Sequence, residues 1–247
     1  MMKSISELDS MAVLLRKHLG EDSISPIDIF SVACTKEDLT TVFYPMGKNI
    51  SGMCIKGQHS DLIAINSEMS LGRQRFSLAH EFYHLFFDSD LSKSVSLKSL
   101  DNCDEKEMEA DKFASHFLLP STALYEQIGQ CDTVTQEQVV RLEQTFGMSR
   151  QAMLYRLKEE GKISDKLFEN MQSDVQNSAA CLGYDTKLYK PTPKEQNTKT
   201  IGRYIRIAND LYVNELISTG KFEEYLLDAF RDDLVYGTDD EGDENFD

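Results

Sequence analysis

The sequence predicts an α+β fold, and three observations predict it. Short β-like runs cluster between residues 40 and 66, and amphipathic helical spacing fills most of the rest. No stretch approaches the roughly 20 apolar residues that a membrane span needs. With 247 residues, 40% of them hydrophobic, the chain can bury a sizeable core as one large domain, alone or with a smaller appendage.

The elements follow in order. Residues 5–20, ISELDSMAVLLRKHLG, place Ile5, Leu8, Met11, Ala12, Leu15 and Leu19 at helical spacing, and Gly20 stops the run. SPIDIFSVA (25–33) offers Ser25 as a cap with Pro26 in the first helical position. TTVFY (40–44), SGMCIK (51–56) and DLIAIN (61–66) read as a small, mostly antiparallel sheet punctuated by Gly47, Gly52, Gly57 and Asn66. Two longer helices are expected at about 73–87 and 104–118, the second stopped by Pro120. TQEQVVRLEQTFGMSRQAMLYRLKEEGK (135–162) reads as a helix–turn–helix-like pair, with Thr135 and Ser149 as caps and Gly147 in the bend. From about 164 to 200 the sequence turns polar and reads as a linker or extended arm. IGRYIRIANDLYVNELISTG and KFEEYLLDAF then form two further helices of a mostly helical C-terminal region. The last eleven residues hold six acids and no base, the composition of a disordered tail. The expected units are therefore 1–130, 131–163, 164–236 and 237–247.

Charge and cysteine usage narrow the function classes. A formal net charge of −16 argues against general nucleic-acid affinity, which depends on Lys and Arg displacing counterions from phosphates. Five scattered cysteines with no CxxC pair fit a reducing compartment and give neither a disulfide framework nor a thiolate metal site. MAVLL is too short for a signal segment, so the expected location is cytoplasmic, with no membrane attachment.

The chemistry concentrates in FSLAHEFYHLFF (76–87). Residues four apart share a helix face, so His80 and His84 can chelate one ion. Glu81, about 100° round the axis, is then placed to act on a water at that ion. Two imidazole ligands and a carboxylate base are the working parts of His-Glu-x-x-His zinc peptidases. The competing reading is an ordinary core helix with hydrogen-bonded histidines, on the apolar face made by Phe76, Leu78, Ala79, Phe82, Leu85, Phe86 and Phe87. Burying His80, Glu81 and His84 without partners costs several kcal/mol, however, and a metal supplies the partner. A third ligand is expected from EKEMEADKFASHF (105–117), where Glu105, Glu107, Glu109, Asp111 and His116 are available. Glu109 borders the packing stripe of Ala110, Phe113, Ala114, Phe117 and Leu118 and is expected to point inward; Glu107 reads as solvated, and Asp111 as a carboxylate that orients a ligating histidine.

RQRFSLAHEFYHLFF followed by EADKFASHFLLP resembles the ImmA/IrrE metallo-endopeptidases. Arg73, Phe76, Ser77, Leu78, Ala79, His80, Glu81 and His84 match the first block of that family's pattern. Glu109, Ala110, Asp111, Phe113, Ala114, Leu118 and Pro120 match the second. The likeness spans roughly residues 5–160. It implies a zincin-like (gluzincin-type) protease core within 1–130, Zn2+ held by His80, His84 and Glu109, and Glu81 as general base. Tyr83 departs from the glycine common in the family before the second histidine, which bears only on local packing. Tyr44, His59, His116 and Arg73 are candidate donors to the oxyanion.

The resemblance further implies cleavage of a separate substrate protein, an XRE-type helix–turn–helix repressor, with relief of repression. Two alternatives stand beside it. One is a zinc-containing partner or anti-repressor that does not cleave. The other is a DNA-binding regulator reading sequence through 135–158; Ser149, Arg150 and Gln151 open the candidate recognition helix, but Glu137, Glu143, Glu159 and Glu160 offset its bases, and no direct nucleic-acid contact is expected.

Overall fold

The computed structural model describes residues 2–88, 104–129 and 131–237, and the backbone of 93–97. Helix α1 (Ile5–His18) starts with a complete capping box between Ser4 and Glu7. Helix α2 (Ile29–Thr35) begins at Asp28 rather than at Pro26. The reason is local: Ser25 is used in a turn, its N–H and hydroxyl both held by Asp22 and its carbonyl taken by Arg16.

Strands β1 (Leu39–Tyr44), β2 (Ile50–Ile55) and β3 (Asp61–Asn66) lie where the sequence places them. They are joined by β4 (Lys93–Leu97) and β5 (Lys199–Gly202) in a five-stranded sheet ordered β4-β2-β3-β1-β5. Three of its four pairings are antiparallel, and β1–β3 is parallel. The edge strand β5 takes Lys199 and Thr200 from the polar stretch expected to be an arm and Ile201 and Gly202 from the run expected to be helix, which starts only at Arg203. That stretch folds because its few apolar residues find partners: Phe168 and Met171 of α8 (Asp165–Met171) are buried, and α9 (Val175–Cys181) buries Ala179. Lys158 sits over the Phe168 ring.

Helix α3 (Leu71–Phe87) lies on the sheet and is buried round most of its circumference. Helix α4 (Glu105–Leu118) packs along it through Phe82, Phe113 and Phe117, with Phe82–Phe117 and Phe113–Phe117 ring centroids 5.8 and 5.6 Å apart. Leu8, Ala12 and Leu15 of α1 join this core, as do residues of α5 (Ser121–Ile128), α6 (Gln136–Phe146) and α7 (Arg150–Glu159). Thr135 and Ser149 cap α6 and α7 as expected, and Gly147 takes the left-handed bend between them at φ +65°. Helices α10 (Arg203–Val213), α11 (Thr219–Asp228) and α12 (Asp232–Tyr236) complete the C-terminal region. The acidic tail beyond Gly237 lies outside the described residues. No helix among those described is long and apolar enough to cross a membrane.

Candidate metal centre

Helix α3 brings His80 and His84 together with their Nε2 atoms 3.2 Å apart. The third group is Glu107, from the first turn of α4: one carboxylate oxygen lies 3.2 Å from His80 Nε2 and the other 3.2 Å from His84 Nε2. Each of the three side chains thus offers a ligand atom within 4.8 Å of the other two. Ligands about 2.0–2.1 Å from a tetrahedral zinc ion stand about 3.3 Å from one another, so the 3.2 Å spacings between each imidazole and its neighbours suit such a site. The donor chemistry fits as well, because two imidazole nitrogens turned toward each other and a carboxylate need a shared cation to satisfy all three.

Glu109 is not brought to that point. Its carboxylate accepts the Lys3 backbone N–H at 2.5 Å, the Lys3 ammonium at 2.6 Å and the Tyr83 hydroxyl. Helix geometry explains the difference. Positions 107 and 111 share the face turned to the histidines, and 109 lies about 200° round the axis from 107, toward α1. The apolar stripe of α4 has two borders, and Glu109 lies on the one turned to Lys3 and Tyr83. Tyr83, the departure noted in the sequence, is the partner that Glu109 meets.

Asp111 stands where a histidine-orienting carboxylate is needed, with Oδ1 2.8 Å from His80 Nδ1. That bond places the hydrogen on Nδ1 and leaves Nε2 for a cation. Burial lowers the His80 pKa, but the carboxylates of Asp111 and Glu107 outweigh it and hold the imidazole up to about 10. A cation taking Nε2 therefore displaces a proton. Burial also works to raise the Glu107 carboxyl, yet hydrogen bonds from His80 and His84 keep it well below the usual carboxylate range. His84 Nδ1 has no hydrogen-bond partner among the described residues; the nearest acid, Asp88, is 3.8 Å away.

Glu81 is fully buried, and its carboxylate lies against β2 at Gly52. A Cβ at position 52 would stand 2.8 Å from Glu81 Oε1 and 3.2 Å from the Ala64 carbonyl. The glycine is thus what lets the acid fit between helix and strand.

The candidate oxyanion donors scatter. His116 is locked between Asp9 and Arg156, Tyr44 packs against Phe230, and His59 is exposed in the β2–β3 loop. Arg73 alone stays near the site, within the electrostatic reach of Asp111.

Residues 34–158, which contain this whole constellation, match the family described as Peptidase_M78: IrrE N-terminal-like domain. The chain belongs to the IrrE N-terminal-like family. No curated protein matches it. Among solved structures, a Mycobacterium tuberculosis transcriptional regulator is similar to this IrrE-like chain at a TM-score of 0.43 and 16% identity, over 62% of this chain and 46% of that one. The chain thus spans about half the length of that regulator.

Proposed function

We propose that this IrrE-like chain is a zinc-dependent endopeptidase of zincin-like architecture, acting on a separate helix–turn–helix repressor of the XRE type and so relieving repression. The single observation that carries the reading is the convergence of His80, His84 and Glu107 donor atoms, with Glu81 directly following the first histidine. His80, His84 and Glu107 would hold a zinc ion, which when bound would supply polarisation of a peptide carbonyl and of a water molecule. Glu81 receives the proton of the attacking water and delivers it to the departing amine. Asp111 keeps His80 in the tautomer that can ligate. The chemistry is hydrolysis of one peptide bond, with Glu81 unchanged at the end of the cycle.

DNA reading through α7 has weaker support. Arg150 is buried in an ion pair with Glu143, and Arg156 is buried against His116 and Ser121. Two of the three bases of α7 are thus spent on packing, and the third, Lys158, pairs with Asp165.

Co-expression with the repressor, followed by mass mapping of fragments, tests the proposal through Glu81→Gln. The expected result is one discrete cleavage with the native chain, and none with the variant, which retains its metal and still binds the repressor. Equal cleavage by the variant would remove Glu81 from the chemistry. No cleavage by either chain, with binding intact, would favour a non-cleaving anti-repressor.

A further inference from the structure

A cavity of about 980 Å³ lies between the first turns of α3, the outer face of α4 and the length of α7. Asp111, the acid that orients His80, is part of its wall. Phe76, Met108 and Ala152 give it an apolar lining. Small-molecule sites have this character: about 300–1,000 Å³, mostly apolar, with a few polar groups that fix orientation.

The cations around the cavity show what it lacks. Lys112 is paired with Glu159, Arg150 with Glu143, Arg156 with Glu160 and Lys158 with Asp165. Lys48 is exposed. Arg73 differs from all of them. Among the described residues its guanidinium makes no hydrogen bond or ion pair, its Nε is buried, and it lies 5.4 Å from the centre of the Phe76 ring. Elsewhere this protein supplies acceptors when it buries an arginine: Arg16 reaches the carbonyls of Asp22, Ser25 and Phe117. The Asp111 charge and the Phe76 ring offset part of its desolvation, but no acceptor takes its N–H groups, and an anion in the cavity would supply one.

We infer that this cavity binds a small organic anion with an apolar body, whose carboxylate or phosphate head is taken by Arg73. The planar guanidinium offers two parallel N–H donors to either head group, and the body displaces water from the Phe76 side. This inference goes beyond the peptidase reading and stands without it, because it concerns binding and requires no cleavage.

Calorimetric titration of the full, metal-loaded chain with octanoate, octyl phosphate and neutral 1-octanol tests it. At least one anion is expected to bind at least about tenfold more tightly than the alcohol, and Arg73→Gln to weaken that anion at least about tenfold, the loss of one charge-assisted contact. A response to octyl phosphate alone, or to octanoate alone, supports the inference and names the head group. Silence of both anions overturns it. So does binding that survives Arg73→Gln but vanishes in His84→Ala, since the anion then sits on the metal. Should Arg73→Gln fail to fold by circular dichroism, Ala152→Leu narrows the cavity and leaves the charge in place. Its affinity for the bound anion must then fall, and unchanged affinity overturns the inference.

Discussion

Glu107 and Glu109 differ by one methionine between them, yet the structure gives them separate tasks. Glu107 completes the donor set, while Glu109 ties the N-terminal segment to α3 through Lys3 and Tyr83. Substitution should separate the two. Glu107→Gln is expected to lose stoichiometric metal, read by elemental analysis of the purified protein, with its fold retained. Glu109→Gln should keep the metal and lower unfolding stability in urea by about 1–2 kcal/mol; a broken buried pair costs more, but the Lys3 partner is more than a third exposed and screened by water. The reverse pattern would restore Glu109 as the ligand. The choice between these residues was not legible in the sequence, because both flank the apolar stripe of α4 and only the direction of α1 decides which border meets the histidines.

The helices and inner strands were legible because each carries its own periodic signal. Helix α3 reads as helix from its spacing, and β1 to β3 from β-branched runs between turn residues. The edge strands were not. KTIG (199–202) has one strongly apolar residue and gains its strand from hydrogen bonds to β1, a pairing across more than half the chain. The same limit hid the role of Gly52, which marks a boundary in sequence but in the fold is the point where β2 passes beneath Glu81. Gly52→Ala should therefore act on both elements at once. A methyl group 2.8 Å from the Glu81 oxygen must push helix and strand apart or turn the carboxylate. The expected outcome is a loss of about 1–3 kcal/mol in stability, typical of overpacking, and strongly reduced cleavage with metal content unchanged. Wild-type cleavage by Gly52→Ala would show that the position of Glu81 is not set by this strand.

At the scale of the molecule, one largely buried knot joins a helix that precedes the family match to three helices in the match's C-terminal half. Asp9 of α1 meets His116 Nδ1 of α4 at 2.7 Å and Ser121 of α5 at 2.9 Å, and Arg156 of α7 donates to His116 Nε2 and, at 2.9 Å, to Ser121. The helix–turn–helix-like pair is thereby tied to the helices that carry the site, across the expected boundary at 130/131. Asp9 makes the knot sensitive to acid. Burial works to raise its carboxyl, but hydrogen bonds from His116 and from the Ser121 N–H and hydroxyl prevail and hold it at about 2, below its ordinary 3.8. A depressed folded-state pKa stabilises the protein above the unfolded value and ceases to do so as pH falls through the folded one. The contribution should thus be complete above about pH 4 and vanish toward pH 2, amounting to about 1–2 kcal/mol after allowance for the part of the side chain in water. Urea unfolding measured across that window should show the native chain losing this increment. Asp9→Asn, which keeps the shape without the charge, should be less stable at pH 6 and lose less on acidification. Because protonation of the many other acids relieves self-repulsion equally in both chains, the difference between their slopes isolates Asp9. Parallel slopes would mean that the knot holds by packing alone.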